Sequence, residues 1–192
     1  MKIKAIILAA VMLIMFTTGA QAARITPAES MEKVCNALFY LDDKDLQSLN
    51  FSGEEIRKNY VESFNSTNEQ INFTDKQKET MADALIDTMR KKIKFTVNTE
   101  SVSGDKAVVA VTITGIKFNE TMNDISFDAT GLTAEQISEV VVQKMIEKLE
   151  NIPLRKPVTV KFNCAFDEEM NLWVPEGESE NNLTPLFDAA LN

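Results

Sequence analysis

Four times along this chain a hydroxyl side chain is followed three residues later by a glutamate or glutamine, and each time an amphipathic stretch begins. The four are Thr26-Pro27-Ala28-Glu29, Ser52-Gly53-Glu54-Glu55, Thr74-Asp75-Lys76-Gln77 and Thr133-Ala134-Glu135-Gln136. In such a box the hydroxyl accepts the N–H three residues on and the carboxyl or amide reaches back to the capping N–H, satisfying two orphan donors reciprocally. Pro27 strengthens the first box, because a missing N–H costs nothing at the first helical position. One match could be chance; four predict four helices, over about 27–41, 53–65, 75–93 and 134–150.

Each of these stretches is apolar on one face only. The first carries Met31, Val34, Cys35, Leu38 and Phe39, the second Ile56, Tyr60 and Phe64. The third carries Met81, Leu85, Met89 and Ile93, the fourth Ile137, Val140, Val141, Met145 and Leu149. A single stripe means a helix that covers something else. The covered layer is predicted to be a sheet. Phe95 to Ser101 and Lys106 to Phe118 are rich in Val, Ile, Thr and Phe and flank the turn Ser103-Gly104-Asp105. Val108 to Val111 is apolar on both faces, as expected of a central strand covered on both sides for part of its length. A polar loop is expected over 119–132. Val158, Val160, Phe162, Cys164 and Phe166 then alternate with polar or small residues, a period-two strand with one buried face. Asp167-Glu168-Glu169 turns it toward Leu172-Trp173-Val174, and the tail from Thr184 to Leu191 forms a short helix or lies along the sheet. The fold class predicted is α+β: N-terminal helices on the concave face of a single twisted antiparallel sheet of four to six strands, with one helix inserted between two hairpins.

The chain has 192 residues, and its first 22 read as a leader. Lys2 and Lys4 form a positive start, Ala5 to Phe16 is unbroken apolar sequence, and Ala20-Gln21-Ala22 places small residues where a signal peptidase cuts, so cleavage is expected after Ala22. As a helix the apolar run spans roughly 18 Å, against a hydrocarbon core of about 30 Å, too short for a membrane anchor. The expectation is a secretory signal peptide over 1–22, a single α+β domain over 23–192, and export to the periplasm or the extracellular space with no stable membrane anchor after cleavage. Without residues 1–22 the chain keeps 18 basic and 29 acidic side chains, a net charge of −11. So acidic a surface repels phosphate backbones and anionic lipid, which argues against nucleic acid as a partner.

This layout resembles the cone-shaped nuclear transport factor two-like or cystatin-like superfold, and more narrowly the extracytoplasmic bacterial proteins of unknown function that carry it behind a signal peptide. The likeness lies in the helical first half, the strand pair around Val102-Ser103-Gly104-Asp105-Lys106-Ala107-Val108-Val109, and the hairpin from Val160 to Trp173. Many such relatives have a lipid-modified cysteine at the mature start; here no cysteine lies near the cleavage point. Enzymes on that superfold often place an Asp and a Tyr inside the cone, and only Tyr40 and Tyr60 are available here.

The chain contains no histidine. Ser-His-Asp and Cys-His catalysis and His-ligated metals are therefore excluded. No catalytic, cofactor-binding or metal-binding residue is assigned and no cofactor is expected. Cys35 and Cys164 both fall on predicted apolar faces, and two alternatives stay open: a helix-to-sheet disulfide in an oxidising compartment, or two buried free thiols. The acidic clusters Asp42-Asp43-Lys44-Asp45, Asp167-Glu168-Glu169 and Glu176-Gly177-Glu178-Ser179-Glu180 lack the ligand spacing of a calcium loop and read as solvated turns and helix ends. The oxygen-rich run 119–124 reads as loop, and the sequons at Asn65, Asn72, Asn119 and Asn182 read as chance triplets in polar loops. The function expected is that of a secreted, non-enzymatic domain binding a small hydrophobic ligand or an envelope protein in the helix–sheet cone. Two rivals are a carboxylate-based isomerase or lyase in the same cavity, and a structural or inhibitory protein acting through an exposed strand edge. The oligomeric state is left open.

Overall fold

The computed structural model describes residues 24–64, 71–176 and 183–192. The predicted leader and its Ala22 cleavage point lie outside these residues.

All four predicted boxes cap helices. Thr26 opens α1 (Pro27–Cys35), Ser52 opens α3 (Gly53–Ser63), Thr74 opens α4 (Asp75–Lys92) and Thr133 opens α6 (Ala134–Glu150). In each, the hydroxyl accepts the backbone N–H three residues on, and at Thr26, Thr74 and Thr133 the third residue's side chain also returns to the cap. The expected first helix does not run uninterrupted to residue 41. From Asn36 to Tyr40 it widens into a π turn and stops at Leu41, whose φ of 47° reverses the chain. Three short helices complete the set: α2 (Asp43–Ser48), α5 (Phe118–Asn123) and α7 (Thr184–Leu191).

The sheet has four strands in the order β1 (Lys94–Ser103), β2 (Lys106–Thr114), β3 (Val158–Asp167) and β4 (Leu172–Pro175), all antiparallel. Gly104, with φ of 61°, takes the first central position of the tight turn between β1 and β2, a conformation open to glycine. Two helices, α5 and α6, stand between β2 and β3 where one was expected, because β2 ends at Thr114 and Phe118, read as the end of the strand, opens a helix that runs into the predicted loop. Phe118 and Met122 are buried there, so packing holds a helix too short to persist alone.

Odd-numbered residues of β2 and even-numbered residues of β3 face the helices. Ala107, Val109, Val111 and Ile113 stand opposite Cys164, Phe162, Val160 and Val158. α1 crosses this face against β1, β2 and β4, while α7 packs on β2 and β3. A second helical layer, α4 packed against α6 and α3, reaches the first through the π turn. The opposite face bears exposed Thr96, Asn98, Thr159, Lys161 and Asn163 and carries no helix among the described residues. The expectation that β2 is covered on both sides therefore fails on that face. Ala110 is buried there because its cross-strand neighbours Asn98 and Lys161 overhang a small side chain.

Candidate functional site

The space between helices and sheet, expected to form the binding cone, is occupied by the protein's own side chains. Met31, Cys35 and Phe39 from α1 and its π turn, Met81 and Met89 from α4, and Val109, Val111 and Ile113 from β2 are all fully buried. Phe39 packs against Phe95 and, edge-on, against Phe187 at ring distances of 6.3 and 6.1 Å. The buried polar residues among those described are Ser30, Ser63, Thr88 and Ser138, and no buried polar side-chain atom is without a hydrogen bond.

No Asp or Glu among the described residues is buried. The most enclosed are Asp45 and Asp167. Asp45 accepts from the Asn36 amide at 2.7 Å and lies 3.4 Å from the Lys33 ammonium; Asp167 accepts the backbone N–H groups of Glu169 and Met170. Asp45 thus ties α2 to α1 and its π turn, and Asp167 acts within a local turn. The two phenols are also engaged with carbonyls. Tyr40 donates to Ile93 at 2.9 Å, and the wholly buried Tyr60 points at Leu38, its ionisation pushed up by desolvation. The buried carboxylate that an acid–base enzyme on this framework requires is absent from the described residues.

Cys35 and Cys164 are both buried and both free, the second of the two alternatives left open by the sequence. Each thiol acts as a small apolar filler. Burial pushes Cys35 up to about 12 and Cys164 up to about 11, with nearby Glu32 and Glu176 adding smaller upward effects. Thiols held so far from ionisation are poor nucleophiles at neutral pH.

The acidic clusters at 42–45 and 167–169 resolve into a helix start and a turn, as read, while residues 177–180 of the third lie outside the described residues. Asp42 caps α2 by accepting the Asp45 N–H at 3.0 Å, and no cluster of His, Cys, Asp and Glu among the described residues is arranged to hold a metal ion. Of the sequons, Asn72 is exposed and Asn119 sits on α5 with its amide on Asn192; Asn65 and Asn182 lie outside the described residues.

Two surface features stand out, a groove that was not anticipated and a strand edge of the kind the structural or inhibitory reading required. An open groove of about 740 Å³ runs between α5 and the end of α6, lined by Lys117, Glu120, Thr121, Asp124, Glu147 and Lys148, with Asn151 and Pro153 beyond. Four of its five charged side chains are paired within the chain, Lys117 with Glu120 at 3.0 Å and Lys148 with Asp124 at 2.9 Å. The other feature is the edge of β1, ten residues long, exposed over most of its length and paired with no other strand among the described residues. The order of elements could have pointed to it, since a meander always leaves its first strand at an edge.

A family model described as "Domain of unknown function (DUF5105)" matches residues 23–164. No curated protein matches the chain. Among solved structures, the chain is similar to a candidate lipoprotein (ycdA) from Bacillus subtilis subsp. subtilis str. 168, with a TM-score of 0.63 and 12% identity. The match covers 86% of this chain and 56% of that one, so the chain spans little more than half the length of its structural neighbour. At that identity the likeness concerns the fold alone. Among the described residues no helix is long and apolar enough to cross a membrane.

Proposed function

The chain belongs to the DUF5105 family of domains of unknown function, and we propose that it is an exported, non-enzymatic domain that binds an envelope protein through its outer surface. The observation that carries this reading is the helix–sheet interior, where the described side chains are buried, every buried polar side-chain atom among them is already bonded and no described carboxylate is enclosed. A small hydrophobic ligand in the cone would have to displace Met31, Phe39 or Met89, each packed at zero exposure. The surface, by contrast, offers an uncovered sheet face and a free strand edge. We read the helices laid over one face of an antiparallel sheet as a form of the cone-shaped nuclear transport factor two-like superfold, closed by its own core.

Export is supported by the leader-like first 22 residues, by a family match that begins at residue 23, and by a structural neighbour described as a lipoprotein. The test is expression of the full chain in a bacterial cell, with separation of cytoplasm, envelope and medium. Expected is a protein lacking residues 1–22 outside the cytoplasm, cross-linked in the cell to one recurrent envelope protein, with a native mass equal to a whole number of bare polypeptides and nothing more. Retention of the whole chain in the cytoplasm, or a stoichiometric small molecule in the native mass, overturns the reading.

A further inference from the structure

We propose that the free edge of β1 pairs antiparallel with the same edge of a second copy of this chain, joining two four-stranded sheets into one. The proposal deepens the reading that the protein acts through its surface, by naming one partner and one surface.

The phase of the sheet's hydrogen bonds decides which backbone groups β1 has to offer. Phe166 donates its N–H to the Asp105 carbonyl at 2.9 Å, so Asp105 is directed toward β3. Backbone groups along a strand alternate between its two neighbours. Ala107, Val109, Val111 and Ile113 therefore serve β3, while Lys106, Val108, Ala110, Thr112 and Thr114 serve β1. The partners of Ala110, Thr112 and Thr114 on β1 are Asn98, Thr96 and Lys94. These three point inward, and the N–H and C=O groups of Phe95, Val97 and Thr99 point out of the sheet. No backbone group among the described residues pairs with that side of β1.

Unpaired edges are usually blunted by a bulge, a proline or a charge, because they invite a second chain. The bulge of β1 lies between Thr99 and Ser101, at the end of the stretch, and leaves Lys94 to Thr99 regular and free of proline. The charges at the two ends of this stretch, Lys94 and the bulge residue Glu100 just past Thr99, complement one another across a two-fold axis. With the axis on Val97, Phe95 lies opposite Thr99 of the second copy, Val97 opposite Val97, and Lys94 opposite Glu100 at both ends. Lys94 and Glu100 share the outer face, where Glu100 already meets Lys161 at 2.8 Å. Lys94 takes part in no ion pair among the described residues. Sliding the register by one step in either direction sets Lys94 against Asn98 or Val102, and an in-register parallel pairing sets lysine against lysine. The antiparallel register centred on Val97 places both unlike charges together while pairing the three residues whose backbone groups point outward. Opposite charges directly across a strand pair stabilise it and like charges oppose it.

The experiment measures the mass in solution of the protein as the cell produces it, across a dilution series, alongside Lys94→Glu, Glu100→Lys and the double variant. Both residues are exposed, so the substitutions spare the core. Expected is a dimer that each single substitution weakens roughly tenfold and the double exchange restores. A monomer at every concentration overturns the proposal, as does a dimer indifferent to the exchanges. A monomer that still cross-links to an envelope protein removes the edge pairing while leaving the proposed function standing.

Discussion

Ser30, in the first turn of α1, accepts the backbone N–H of Trp173 in β4 at 3.1 Å, across 143 residues of sequence. Around this bond the start of the domain is held to the last hairpin. The Trp173 indole donates to the Ile25 carbonyl at 2.9 Å, and the Arg24 guanidinium lies 3.7 Å from the Phe166 ring centroid and 2.7 Å from Asp105. The segment just after the predicted cleavage point is thus part of the fold.

Ser30→Ala removes the acceptor and leaves a buried N–H unpaired in a wholly enclosed position. Such a group costs about 1 to 3 kcal/mol. Denaturant unfolding followed by Trp173 fluorescence should show a midpoint lowered accordingly with an unchanged slope. A variant as stable as the parent would mean that the N–H finds another acceptor.

Gly115 follows β2 where α7 comes to rest. A Cβ on it would lie 2.3 Å from the Ala190 carbonyl oxygen and 2.5 Å from that of Ala189. Backbone cannot yield as a side chain does, so Gly115→Ala must push α7 away. This also strains the Ile116 N–H to Ala190 bond of 2.8 Å and the hold of Arg155 on the Asp188 carbonyl. Overpacking of this kind costs about 1 to 3 kcal/mol. Hydrogen exchange should accelerate in 184–191 before it does in the sheet, and uniform exchange across both would contradict the assignment.

Both thiols ionise less readily folded than unfolded, Cys35 at about 12 and Cys164 at about 11 against an ordinary value near 9. A folded-state value raised above the unfolded one gives stability that is complete below the unfolded value and is lost as pH rises through the folded one. Stability should therefore fall between about pH 9 and pH 12, with buried Tyr60 acting in the same direction. At neutral pH neither thiol should react with iodoacetamide until the protein is unfolded, and both should then be labelled without a reductant. A failure to label without reduction would mean that the cysteines are joined.

Thr133 accepts the Gln136 N–H while the Gln136 side chain returns to the Thr133 N–H at 2.9 Å. Thr133→Ala should cost about 1 kcal/mol, and the loss should appear in thermal unfolding. Ser52→Ala should cost no more, since Glu55 does not complete the reciprocal half of its box. A larger loss at Ser52 than at Thr133 would contradict this ranking.

The helix starts were legible because a cap is a local transaction among four consecutive residues, and the inward faces of β2 and β3 because side chains alternate along a strand. The π turn at Asn36, the short helices α2 and α5, and the bare outer face of the sheet were not. Each depends on what packs nearby: Phe118 and Met122 hold α5 by burial, and Ala110 is hidden by Asn98 and Lys161 from neighbouring strands. The candidate surface divides the same way. Lys94 and Glu100 are visible in the sequence, but their relation requires the hydrogen-bond phase of the sheet and the bulge after Thr99.

By itself the sequence determined the four capped helices, the hairpin at Gly104, the α+β class and the absence of imidazole chemistry, because these follow from composition and from contacts a few residues apart. Only the tertiary structure decided which described side chains are buried between helices and sheet, that Cys35 and Cys164 stay as free thiols, and which backbone groups the edge of β1 leaves unpaired among the described residues. Those outcomes depend on volumes filled and edges left over once segments far apart in the chain have packed, and no local pattern encodes what remains uncovered.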